Sequence, residues 1–233
     1  QADERLALNL TLPSEFMTID AVFNEVLNEL SELDQFDLLY LRVQRFAPSE
    51  ASAPLADVGP LGRLLDLGVW AERQGVGLIH AQSGLLGWLL LASGAFGFST
   101  GGTSSDQMFK RFAGGGGSGN APLERHFERA ILHPVSAATH AALVNGGEPY
   151  VEYPTRWGTA ALTSNPYSHR LSAPHSLYSL GGLTADVSRA ATPRSGWRPG
   201  VRTAVHSART AALQLGLAGR ENPTHLGSWV NFV

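Results

Sequence analysis

The chain has 233 residues, with 17 basic and 20 acidic side chains and a net charge of −3. It contains no cysteine, which excludes disulfides and thiolate metal sites. No apolar run approaches the roughly 20 residues that a membrane-spanning helix needs, and no targeting segment is recognisable, so the expectation is a cytoplasmic protein without a membrane partner.

The elements follow in chain order. Residues 6–12 alternate Leu6, Leu8, Leu10 and Leu12 with Ala7, Asn9 and Thr11, which predicts a two-faced strand. Thr18 suits a helix N-cap. Ile19, Val22, Phe23, Val26, Leu27, Leu30 and Leu33 then recur at helical spacing, so an amphipathic helix follows. Residues 37–44 read as a second strand, with Leu39, Leu41 and Val43 on one face and Tyr40, Arg42 and Gln44 on the other. A Pro/Ala/Ser-rich loop over 45–60 leads into a helix over 61–74. The stretch 75–105 then predicts a strand (76–81), a helix apolar on all sides and so deeply buried (85–95), a strand (96–100) and a Gly101-Gly102 turn.

The first 100 residues therefore read β-α-β-α-β-α-β, the pattern of an α/β protein with parallel strands. The expected architecture is a parallel (β/α) barrel or half-barrel of the TIM type with a helical C-terminal extension. A small open parallel sheet is the competing fold. The expected boundaries are a βα-repeat body over 1–112, a Gly-rich linker over 113–121 and a mainly helical region over 122–233 that packs on the body. Four strands are half of an eight-stranded barrel. The chain is thus expected to be part of a longer barrel, or a half-barrel that a homo- or hetero-oligomeric partner completes.

Beyond the linker the expectations are a helix after Pro134 extending to residue 145, a short strand over 149–153, turns over 154–171, and helices over 173–191 and 201–217. Trp229 and Phe232 are expected to pack against the body.

In parallel α/β folds ligands bind at the C-terminal ends of the strands. The polar residues at these ends are Asn9 and Thr11, Arg42 and Gln44, His80 and Gln82, and Ser99. Read as one inward face, they predict a polar pocket, since buried polar groups need partners. The catalytic candidates are His80, Arg42 and Asp106: Arg42 suits a phosphate or carboxylate and His80 a general acid or base. Asn9, Thr11, Gln44, Gln82 and Ser99 suit a polar substrate, and Gly101, Gly102 and Thr103 an anion held on backbone N–H groups. No Asp or Glu stands at these strand ends, and Asp106, just past the turn, is the nearest acid. Paired-carboxylate chemistry therefore lacks its residues. The histidines at 126, 133, 140, 169, 175, 206 and 225 follow no H-x₃-H or H-E-x-x-H spacing, so neither a metal nor a cofactor is expected.

Charge is uneven. Residues 1–120 carry 7 basic and 14 acidic groups, and residues 121–233 carry 10 and 6. The C-terminal part is thus suited to an anionic partner such as tRNA or DNA. Trp157, Arg170, Trp197 and Arg198 either stack on bases or anchor loops.

The strand AFGFSTGG, the linker, and then YPTRWG…NPYSHRLSAPHSLYSLGGL together resemble the C-terminal half of the tRNA-guanine transglycosylase superfamily over roughly residues 75–190. That resemblance implies a (β/α)₈ barrel that exchanges a guanine base in nucleic acid. It sets Arg170 to Leu177 beside the family's R-x-x-x-H-H-L helix, and Tyr153 to Trp157 where its zinc cysteines would stand. The cysteines are absent, and Gly97 falls where the nucleophilic aspartate is expected. The implied function is a divergent nucleobase-handling protein, either a transferase or a non-catalytic subunit. The alternatives are a small-molecule barrel enzyme that binds a phosphorylated substrate and a structural or assembly subunit.

Overall fold

The computed structural model describes residues 6–33, 35–44, 57–101, 124–148, 150–190 and 197–233. Its first part alternates strand and helix: β1 (Ala7–Leu12), α1 (Asp20–Glu32), β2 (Leu38–Val43), α2 (Val58–Arg73), β3 (Gly77–His80), α3 (Gly84–Leu90) and β4 (Gly97–Phe98). The four strands form one parallel sheet in the order β1-β2-β3-β4.

This order never reverses. Right-handed crossovers in one direction put every connecting helix on the same side of the sheet. The contacts agree. Arg63 on α2 pairs with Asp20 on α1, and the Trp70 indole N–H donates to Ser31 Oγ at 3.0 Å. Gly68 on α2 meets the 3₁₀ turn Leu91–Ser93 that extends α3, where an added Cβ would lie 3.0 Å from the Ser93 carbonyl oxygen. Gly94 ends that turn in the left-handed region at φ 97°, a conformation glycine adopts without strain.

The register assigns side chains to the two faces. One face holds Leu8, Leu39 and Leu78, then Leu10, Leu41, His80 and Phe98. Leu39, Leu41 and Leu78 are fully buried there with Phe23 and Leu30 of α1, Leu61, Leu64 and Leu67 of α2, and all of α3. The opposite face holds Asn9, Tyr40, Ile79 and Gly97, with Thr11 beside Arg42.

The C-terminal part contains the antiparallel hairpin β5 (His126–Glu128) and β6 (His133–Val135), followed by α4 (Ala137–Gly146), α5 (Arg156–Thr163), α6 (His169–Ala190), α7 (Trp197–Gln214) and α8 (His225–Trp229). Leu180, Leu183, Val187, Val201, Val205 and Trp229 share one apolar core with the βα layer, and Phe232 packs against it.

The parallel βα alternation, the buried α3 and the packing of Trp229 and Phe232 agree with the sequence reading. Several details differ. Ile19, not Thr18, is the N-cap of α1. The chain around Pro134 forms a hairpin that the sequence reading does not include, while the helix expected after Pro134 is present as α4. Residues 150–155 carry no regular structure where a strand was expected, and α5 occupies part of the stretch expected to be turns. The linker over 113–121 lies outside the described residues.

Candidate functional site

The open face of the sheet gathers a polar row near the C-terminal strand ends. Arg42 Nη1 donates to Asn9 Oδ1 at 3.0 Å across β1 and β2. The Arg42 guanidinium lies over the Tyr40 ring, 5.1 Å from its centroid. Tyr40 Oη and Ser99 Oγ hydrogen-bond at 3.2 Å, and Ser99 Oγ also accepts from the Gln82 backbone N–H at 3.1 Å. Gln82 turns the chain at φ 51° after β3, so this bond pins an unusual turn to β4. Among the described residues Arg42 pairs with no carboxylate. Asn9 and Thr11 are exposed, while Tyr40, Arg42, Gln44 and Ser99 are half-buried. Gln44 continues β2, and its N–H donates to the Leu12 carbonyl at 2.9 Å.

His80 does not belong to this row. Its register partner is Leu41, which places it on the face under the helices. It is 3% exposed, and its Nε2 has no hydrogen-bond partner among the described residues. Burial pushes its pKa down to about 3, so the ring is neutral. His80 therefore faces the helices, on the side of the sheet opposite the Arg42 row where the sequence reading had placed it. Gly101 ends the described part of this segment, and its carbonyl accepts from Thr100 Oγ1 at 3.2 Å. Gly102, Thr103 and Asp106 lie outside the described residues.

A second constellation forms where β5, α4, α5 and α6 meet. His126 and Glu128 alternate on β5 with Phe127 between them, and all three are buried. His140 on α4 reaches Glu128 Oε1 through Nδ1, and the Tyr150 hydroxyl donates to Glu128 Oε2. The bond to Glu128 raises the His140 pKa. Burial, reinforced by Glu128, raises that of Tyr150. His175 on α6 uses both ring nitrogens, Nδ1 with Thr155 Oγ1 and Nε2 with the Phe127 carbonyl, each at 2.8 Å. Its ring lies flat on that of His126, with centroids 4.1 Å apart. His126 Nδ1 is buried with no hydrogen-bond partner among the described residues, and burial lowers the ring's pKa to about 3. Thr155 also caps α5 by accepting from Gly158 N–H at 3.0 Å, and Gly158 presses on the histidine stack.

A cleft of about 320 Å³ opens beside this cluster, lined by Ala137, His140, Val144, Glu152, Thr159 and Leu162 among others. Glu152 Oε1 lies 3.9 Å from His140 Nε2. Another buried histidine pair, His133 and His225, packs near Trp229, with His133 the register partner of Glu128 on the hairpin. His133 Nε2 bonds the Arg220 carbonyl at 3.0 Å, and nearby Arg125 pairs with Glu221 at 2.8 Å.

The segment 153–157, set beside the family's zinc cysteines, does not fit a zinc ion. Thr155 is committed to His175 and the α5 cap, Arg156 stacks on Trp157 at 4.3 Å, and Tyr153 packs against Arg129 at 4.4 Å. The structure thus unites Asn9, Arg42 and Ser99 with Tyr40, which the sequence reading had not counted as a site residue. It separates His80 from them. It also assembles His126, Glu128 and His140, whose one signal in the sequence was the alternation His126-Phe127-Glu128. Comparison with family models, curated proteins and solved structures gives no match.

Proposed function

We propose that this chain is a half-barrel-like α/β protein that binds a nucleobase-bearing ligand on the open face of its parallel sheet, in the manner of a divergent, non-catalytic relative of the tRNA-guanine transglycosylases. The observation that carries the reading is the row Asn9, Tyr40, Arg42 and Ser99 on the face away from α1, α2 and α3. The stacked Arg42–Tyr40 pair is a flat cationic platform suited to a planar heterocycle. The Asn9 amide, with one donor pair and one acceptor, suits the edge of a base. The remaining Arg42 donors suit a phosphate.

Gly97 supports the non-catalytic form of the reading. It lies in the row of Asn9 and Tyr40, at the position where the resemblance expects a nucleophilic aspartate. Without a carboxylate there, the row holds a base but has no group to attack the sugar.

A second reading, a site for a small phosphorylated substrate, draws on the same Arg42. Calorimetric titration with guanosine monophosphate, guanine and ribose 5-phosphate separates the two. Binding of the two guanine compounds, weakened in Asn9→Ala and Arg42→Ala, supports the nucleobase reading. Equal binding of ribose 5-phosphate, with no response to guanine, supports the second.

A further inference from the structure

We propose that His126, Glu128 and His140 form a binding site for a divalent transition-metal cation of the zinc class. One donor atom from each of the three lies within 4.8 Å of the other two, and all three side chains are buried. Two imidazoles and one carboxylate are a donor set that borderline cations such as Zn²⁺ accept, and three protein ligands leave a coordination position open.

Three observations support the assignment. The first is that His140 Nδ1 and Glu128 Oε1 already converge: in the metal-free chain the ring N–H donates to the carboxylate, and a cation bound between them would take the place of that proton. The second is His126, 3% exposed, whose ring lies against that of His140 with centroids 4.8 Å apart and whose buried Nδ1 has no hydrogen-bond partner among the described residues. Burying a ring nitrogen without a hydrogen bond costs free energy that coordination recovers. The third is the support around the donors. Tyr150 holds the far oxygen of Glu128, and His175, fixed at both nitrogens, forms a wall against His126. Metal ligands are characteristically oriented by such outer contacts. His175 itself is not a ligand here, because neither of its nitrogens is available.

Access comes from the cleft beside α4, where His140 and Glu152 line the wall. Glu152, 3.9 Å from His140 Nε2, adds negative charge at the mouth. The site is independent of the Arg42 row and stands whether or not that row binds a nucleobase.

The test uses the full chain, stripped of metal with a chelator and titrated with Zn²⁺ by calorimetry. The expected result is one Zn²⁺ per chain. His126→Ala and Glu128→Gln should each weaken binding by at least about tenfold, with unchanged far-UV circular dichroism. His206→Ala, which alters an exposed histidine, should bind as the parent does. If either cluster variant fails to fold, X-ray absorption of the Zn²⁺-loaded parent decides, with two imidazoles plus oxygen ligands expected. No binding by the folded parent, undiminished binding in folded His126→Ala and Glu128→Gln, or a zinc environment without two imidazoles would overturn the assignment.

Discussion

The rings of His126 and His175 stack with centroids 4.1 Å apart and planes 15° from parallel. On the His175 side the stack is held by the Thr155 hydroxyl and the Phe127 carbonyl. Thr155→Val keeps the shape of that side chain and deletes the hydroxyl. It leaves His175 Nδ1 buried and unpaired and removes the α5 cap, so the chain should lose about 1–3 kcal/mol of stability. Urea unfolding measures this. A change within about 0.5 kcal/mol would show that the hydroxyl does not hold the stack.

Gly87 on α3 and Gly97 on β4 make opposite predictions. A Cβ at Gly87 would lie 2.4 Å from Phe98 Cβ, with no room to give. Gly87→Ala should therefore cost about 1–3 kcal/mol through overpacking. A Cβ at Gly97 meets nothing within 4 Å. Gly97→Asp should fold and melt within a few degrees of the parent, and it would place a carboxylate in the row of Asn9 and Tyr40. Paired thermal melts check both, and a Gly97→Asp protein that fails to fold would contradict the open-face description.

Acid sensitivity follows from His80 and His225, each held neutral by burial with a pKa near 3 against 6.5 when exposed. Between those values the unfolded chain binds protons that the folded chain does not, so stability falls as pH drops through this window. The contribution is complete above pH 6.5 and is lost towards pH 3. His80→Leu removes one of these buried neutral groups, and with it an unpaired nitrogen, from an apolar row. It should leave stability at pH 7 unchanged or higher and move acid unfolding to lower pH. An unchanged acid midpoint would show that His80 is not the buried neutral group described.

How much of this was legible in the sequence depends on the signal each element carries. Strands β1 and β2 announce themselves by strict alternation, and the Asn9 and Arg42 faces were read correctly from it. In β3 the adjacent Leu78 and Ile79 erase the period, and the polarity of His80 then pointed to the wrong face. Only the pairing of Tyr40 with Ile79 fixes it, because a one-residue slip exchanges the faces. The hairpin is two three-residue strands, one containing Pro134, too short for any period. The His126–Glu128–His140–His175 cluster draws on β5, α4 and α6. Spacing along the chain cannot reveal donors that tertiary packing alone brings together.

Ligand binding at Arg42 is the most direct test of the proposed function. The Arg42 guanidinium bonds Asn9 and covers Tyr40 without lying in the apolar core, so Arg42→Ala should leave folding intact. The decisive measurement is calorimetric titration of the parent and of Arg42→Ala with guanosine monophosphate at low and high salt. The account predicts saturable binding of one ligand per parent chain, weaker at high salt, and at least about tenfold weaker in Arg42→Ala, the loss expected for a charged hydrogen-bonding partner. Absence of binding to the folded parent, or equal binding by Arg42→Ala, would contradict it.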